Sequence, residues 1–170
     1  MPPSVYLKDY KAELGTVGDV VFKARYRTPA LIVVGKAAEL VEGSSGIDKT
    51  MVAAKPAAAD QALALVDRVF PVNKAPHGQR GPIMLGRSGD NDIAIPEYSI
   101  SKRQCTFEFE PDGIKITDLG STNGTFVEDV RIPPREPVKI KDGTKISLGR
   151  FAFVFHTANG FHAYVKSLTR

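Results

Sequence analysis

Apolar and polar residues alternate most regularly in the second half of the chain. In Cys105-Thr-Phe-Glu-Phe-Glu110 every second position is apolar, the period of a strand with one buried face. This pattern predicts Cys105, Phe107 and Phe109 inside, with the two glutamates in water. Similar short runs are Val66 to Val72, Ile83 to Leu85, Asp92 to Ile95, Ile114 to Asp118 and Thr125 to Val127. Val130 to Ile132, Val138 to Ile140, Lys145 to Leu148 and Phe151 to His156 complete the set. Residues that tolerate positive φ separate them, at Pro111-Asp112-Gly113, Asn123-Gly124 and Lys141-Asp142-Gly143. Short strands punctuated at this spacing point to an all-β sandwich or barrel, with no room for long helices over 81–160.

The first 65 residues are patterned differently. Ala30-Leu-Ile-Val-Val34 has the apolar run of a buried strand, and Val20-Val21-Phe22 is a weaker strand candidate. Glu42-Gly-Ser-Ser-Gly46 is a flexible break. The alanine-rich stretch from Met51 to Leu65 fits either a short helix after Pro56, with Leu63 and Val66 turned inward, or a linker. At the other end, Phe161, Tyr164, Val165 and Leu168 fall at i, i+3, i+4 and i+7, one face of a closing helix with Thr157 or Asn159 as N-cap.

Composition changes this picture little. The 170 residues carry 23 Lys and Arg against 19 Asp and Glu, ordinary globular proportions. A single cysteine excludes an internal disulfide or a cysteine-rich zinc site, and its place on an alternating strand makes Cys105 a core residue. The N-terminus lacks a cationic start and apolar core, and no apolar run approaches the roughly 18 residues of a membrane span. A cytoplasmic protein without a membrane partner is the expectation. His77, His156 and His162 have no metal-like spacing, so no metal is expected and the imidazoles read as exposed or locally bonded. Neither a Ser/His/Asp set nor paired carboxylates are legible, and Gly86 to Gly89 lacks the lysine of a phosphate-binding loop. No enzyme activity and no cofactor are expected.

Three motifs at strand ends carry the chemistry: Gly86-Arg87, Ile100-Ser101-Lys102-Arg103, and Asp118-Leu-Gly-Ser-Thr-Asn-Gly-Thr-Phe-Val127. Loops at one end of a sandwich are held by a rigid scaffold and commonly bind ligands. A guanidinium, hydroxyls and a lysine suit a phosphoryl dianion with its three acceptor oxygens. An asparagine amide both donates and accepts, so it suits the main chain of an extended peptide.

In order and spacing these motifs resemble the forkhead-associated (FHA) domain, the phosphothreonine-peptide-binding β-sandwich, over residues of about 66 to 156. Asn91-Asp92-Ile93 and the run from Lys141-Asp142-Gly143 to Leu148-Gly149 fit the same family pattern. The chain resembles the stand-alone bacterial type with an N-terminal extension. The fold implied is all-β, an FHA-type antiparallel β-sandwich (SMAD/FHA-like) of about 10–11 strands with a short C-terminal helix. Its expected divisions are residues 1–62 as extension, 63–157 as FHA domain and 158–170 as helix. The resemblance gives Arg87 and Ser101 the phosphate contacts, Lys102 a supporting contact, Thr122 the pocket for the phosphothreonine methyl and Asn123 the peptide backbone. Gly86 and Gly124 would be structural, where a Cβ would clash.

One position departs from the family, which has His three residues after the serine as a buttress of the recognition loop. This chain has Gln104, which can donate and accept from a similar place. The function implied is a phosphothreonine-dependent adaptor downstream of a Ser/Thr kinase. The alternative, prompted by Gln104 and the unassigned N-terminal segment, is a phospho-independent scaffold or oligomerisation module. Nucleic acid is not an expected partner, because the basic residues are spread out with no aromatic interleaving. Thr16, with Asp19 three residues on, is a candidate self-ligand if phosphorylated, although a plain turn before Val20 is the simpler reading.

Overall fold

The computed structural model describes residues 5–37 and 64–169. The alanine-rich stretch lies almost wholly outside them. Eleven strands are present among the described residues: β1 (Ala30–Lys36), β2 (Val69–Pro71), β3 (Ile83–Gly86), β4 (Ile93–Ala94), β5 (Cys105–Glu110), β6 (Gly113–Asp118), β7 (Thr125–Val127), β8 (Val130–Arg131), β9 (Val138–Ile140), β10 (Lys145–Leu148) and β11 (Phe151–His156). Helix α1 spans Leu7–Arg25 and helix α2 spans Ala158–Ser167.

The strands form two sheets, ordered β2-β1-β11-β10-β7-β8 and β4-β3-β5-β6-β9. All pairings are antiparallel except the short β3/β4 pair. The sheets face each other across one core in which Leu31, Val33, Leu85, Phe107, Ile116, Ile146, Leu148 and Phe151 are buried. Phe107 of one sheet stacks against Phe155 of the other at 6.4 Å between ring centroids. Burying one such aromatic or aliphatic side chain contributes about 1.5–3 kcal/mol, so this interdigitated layer dominates cohesion.

The N-terminal segment joins the same body. β1 lies between β2 and β11, with Leu31 and Val33 turned into the sandwich core and Ala30 and Ile32 turned to the opposite face. There α1 and α2 cover the sheet, burying Leu7, Tyr10, Leu14, Phe22, Phe161 and Val165 with Ile32 and Val69. Asp9 holds the start of α1 by accepting from the Tyr6 N–H at 3.0 Å. At the far end Asp19 accepts from Lys166 Nζ at 2.9 Å and lies 2.7 Å from His162 Nε2, joining the two helices.

Four expectations change. Val20-Val21-Phe22 is helix rather than strand, because Leu7, Tyr10, Leu14 and Phe22 present a helical stripe that the sheet face buries. The turn expected near Thr16 exists only as a kink within α1, at Gly18 with φ 78°. Phe109 is 50% exposed while Cys105 and Phe107 are fully buried, since β5 runs out toward the β5–β6 turn beyond the packed core. His162 is buried against Phe22 and bonded to a residue remote in sequence, rather than locally. The closing helix matches its expected face, and Thr157 caps it by accepting from the Gly160 N–H at 3.2 Å.

Candidate phosphopeptide site

The three motifs meet at one end of the sandwich. Gly86 closes β3, and a Cβ there would lie 2.1 Å from the Lys102 carbonyl oxygen, so only glycine lets the Arg87 and Lys102 backbones run together. The Arg87 N–H donates to the Ser101 carbonyl at 2.9 Å, and Asn91 Nδ2 donates to the Lys102 carbonyl at 2.8 Å. These bonds fix the loop that carries Ser101.

The loop from Asp118 to Thr125 is built around one buried carboxylate. Asp118 accepts from the Gly120 and Ser121 N–H groups at 2.9 and 3.1 Å and from the Ser121 and Thr125 hydroxyls at 2.5 and 2.6 Å. Gly124 follows with φ 84°, in the left-handed region that turns the chain into β7. Thr122 and Asn123 are thereby presented to the neighbouring loop.

Cross-links then join the two loops. The Thr122 N–H donates to Ser101 Oγ at 3.0 Å, which leaves the Ser101 hydroxyl hydrogen free to point into the cleft. Asn123 Nδ2 donates to the Ser99 carbonyl at 2.9 Å, which leaves its Oδ1 as an acceptor. Gln104, fully buried, makes the third link: its Oε1 accepts from the Ser101 N–H, and its Nε2 donates to the Gly124 carbonyl and Thr125 Oγ1, all at 3.0 Å. One amide thus acts in both senses, which is what a buttress between the two loops needs.

A cleft of about 410 Å³ opens between these loops, lined by Arg87, Ser101, Lys102, Thr122 and Asn123 together with Tyr98, Ser99 and Ile100. All five expected ligand-contact residues share this wall, and Gly86, Gln104 and Gly124 lie behind it. Arg87 is half-buried and its Nη1 donates to the Tyr98 carbonyl at 3.0 Å, aiming the guanidinium along the cleft while its other donors stay available. Lys102 and Thr122 are exposed.

Sequence reasoning missed the support beneath this wall. Glu97 is buried and accepts from Arg150, with Oε1 at 3.0 Å from Nε and 2.8 Å from Nη2. Its other oxygen accepts from the Ser99 N–H at 2.9 Å and from the Ser99 hydroxyl. The Arg150 N–H in turn donates to Ser99 Oγ at 3.0 Å, and the guanidinium lies 4.6 Å from the Tyr98 ring centroid. Ser99, the residue that receives Asn123, is therefore held by a buried ion pair spanning two loops. Only the polar run Glu97-Tyr98-Ser99 beside an apolar strand hinted at it. Behind the cleft, burial pushes the Cys105 thiol up, with a smaller push in the same direction from the Asp118 carboxylate. Its place is that of a core residue, as its alternation implies. Among the described residues no cluster of ligating side chains could hold a metal.

The family model of the FHA domain matches residues 83–149, the span that supplies the whole of this wall. This chain carries an FHA domain. It is 37% identical over 75 residues to the ABC transporter ATP-binding/permease protein Rv1747 of Mycobacterium tuberculosis, covering 44% of this chain and 8% of that protein. It is 35% identical over 75 residues to the glycogen accumulation regulator GarA of the same organism, covering 42% of this chain and 43% of GarA. The oxoglutarate dehydrogenase inhibitor of Corynebacterium jeikeium is 33% identical over 70 residues, 41% of this chain and 46% of that protein. The chain thus matches less than half the length of each of these relatives, two of which are named for regulation rather than catalysis. The FHA match begins after α1, β1 and β2 and ends before β11 and α2, so both helices of the outer layer lie outside it. No helix among the described residues is long and apolar enough to cross a membrane.

Proposed function

We propose that this protein binds a threonine-phosphorylated segment of a partner through its FHA domain, acting as an adaptor downstream of a Ser/Thr kinase in the cytoplasm, without catalysis or cofactor of its own. The observation that carries this reading is the convergence of Arg87, Ser101, Lys102, Thr122 and Asn123 on one cleft. Arg87 and the Ser101 hydroxyl supply charged and neutral donors for phosphate oxygens, with Lys102 at the rim. Thr122 lines the space beside the phosphothreonine methyl, and the free Oδ1 of Asn123 accepts from the peptide backbone. The phospho-independent scaffold reading drew on Gln104 and on an N-terminal segment without a role. Gln104 bridges both loops, and the N-terminal segment packs on its own sheet, so neither observation favours it any longer.

The test is a calorimetric titration with matched phosphothreonine and threonine peptides. Binding only of the phosphorylated form is expected. Hydrogen bonds to charged groups are worth about 1.5–3 kcal/mol, so Arg87→Ala should weaken binding at least about tenfold. Equal affinity for the two peptides, or an unaffected Arg87→Ala variant, would refute the proposal.

A further inference from the structure

We propose that Arg150 is a positioning residue for peptide recognition: it sets the spacing between Arg87, which meets the phosphate, and Asn123, which meets the peptide backbone. The inference rests on the phosphothreonine reading of the cleft and adds to it a residue that touches no ligand.

Arg87 and Asn123 belong to different loops, yet they are anchored on adjacent residues. Arg87 Nη1 donates to the Tyr98 carbonyl at 3.0 Å, and Asn123 Nδ2 donates to the Ser99 carbonyl at 2.9 Å. Consecutive Cα atoms are about 3.8 Å apart, so the two side chains keep whatever spacing this one short segment has. The second bond also fixes the sense of the Asn123 amide. With Nδ2 committed to Ser99, Oδ1 is the atom offered to a peptide N–H. A phosphopeptide must meet both side chains at once, so the shape of Tyr98-Ser99 sets the fit.

Arg150 holds three consecutive residues of that segment. Its Nε and Nη2 lie 3.0 and 2.8 Å from Glu97 Oε1, its guanidinium lies 4.6 Å from the Tyr98 ring centroid, and its N–H donates to Ser99 Oγ at 3.0 Å. The same guanidinium lies 5.2 Å from the ring centroid of Phe151, a fully buried core residue, so the cleft wall is referred to the core through it. Gly149, just before, has φ 57°, and a Cβ there would lie 2.6 Å from the Ser99 carbonyl oxygen. The β10–β11 turn thus closes directly on the carbonyl that receives Asn123. Even β1, outside the FHA match, reaches the same residue, since the Ala37 N–H donates to the Arg150 carbonyl at 2.8 Å. Neither Glu97 nor Arg150 lines the cleft, and both are buried. A charge pair withdrawn from water is a poor source of stability beside apolar packing, whereas the planar, two-pronged guanidinium orients whatever it holds.

The experiment compares two ligands by NMR titration of the whole protein. A phosphothreonine peptide spans both side chains; free O-phosphothreonine has no flanking peptide bond and meets the phosphate site alone. E97Q/R150M removes the pair without leaving a buried charge, and R150K keeps a cation beside Glu97 but has no planar group to lie against Tyr98. A neutral hydrogen bond is worth about fivefold in affinity, so the ratio of peptide to O-phosphothreonine affinity should fall about fivefold in E97Q/R150M and about threefold in R150K. Asn123→Ala should weaken the peptide about fivefold in the wild type and less than about twofold in E97Q/R150M, where the amide is no longer aimed. A role in stability alone would weaken both ligands alike. An unchanged ratio in either variant, or an Asn123→Ala loss of equal size in both backgrounds, overturns the inference while leaving phosphothreonine binding intact. Failure of the wild type to bind the phosphothreonine peptide overturns the reading of the cleft and this inference with it.

Discussion

Removing the side chain of Gln104 should loosen the fold and the cleft together. The amide is fully buried and joins the Ser101 loop to the Gly124 turn through bonds to the Ser101 N–H, the Gly124 carbonyl and Thr125 Oγ1. In Gln104→Ala, Thr125 keeps its bond to Asp118, so the groups left without partners are the Ser101 N–H and the Gly124 carbonyl. An orphaned buried polar group costs about 1–3 kcal/mol, and the Ser101 N–H is only partly buried, so a loss of about 2–4 kcal/mol is expected. Urea unfolding reads this directly. Phosphopeptide affinity should also fall about fivefold, since loops no longer tied together must be ordered on binding at about 1 kcal/mol. Gln104→Glu sharpens the test, because a carboxylate can accept from Ser101 but cannot donate to Gly124. Burial raises the folded-state pKa of that new acid above its unfolded value. The resulting penalty is absent below about pH 4, where both states are neutral, and grows as pH rises toward the raised value. Gln104→His, the family residue, should restore most of the stability. A loss under about 1 kcal/mol in Gln104→Ala with unchanged affinity would refute the buttress argument.

Two further outcomes follow from buried charge. Arg150→Met leaves Glu97 in the interior without its cation and should cost about 3–5 kcal/mol in urea unfolding, whereas Glu97→Gln/Arg150→Met should cost less than the two single losses added. Additive losses would mean that the pair does not act as a unit. For Asp92, burial pushes the carboxyl upward, but the Lys74 ammonium and the Met84 and Ala75 N–H groups outweigh it and hold the group below its ordinary value. A depressed native value stabilises the fold above the ordinary carboxylate range and is lost as pH falls through that range toward the lowered value. Asp92→Asn should flatten that part of the stability profile measured by thermal melts at stepped pH, and an unchanged acid limb would count against the assignment.

What was legible in the sequence was local. Alternation at Cys105 to Glu110 and positive-φ residues at Asn123-Gly124 and Asp142-Gly143 set strands and turns over a few residues, so β3 through β11 appear where the pattern places them, within a residue or so. The ligand-facing residues were legible for the same reason, because each motif is a short turn whose backbone needs particular residue types. Helix α1 was misread at Val20-Val21-Phe22, where three residues of high β-propensity outweighed the stripe of Leu7, Tyr10, Leu14 and Phe22 that only a covering sheet face makes decisive.

The tertiary structure alone decided how distant segments meet. It put β1 beside β11, making the N-terminal segment part of the same core, and it brought Glu97 to Arg150 and Arg131 to Gly124. These contacts depend on how two twisted sheets stack and how their connecting loops abut, and no sequence spacing encodes that. The sequence determined what chemistry could gather at the end of this sandwich; packing determined which residues hold it in place.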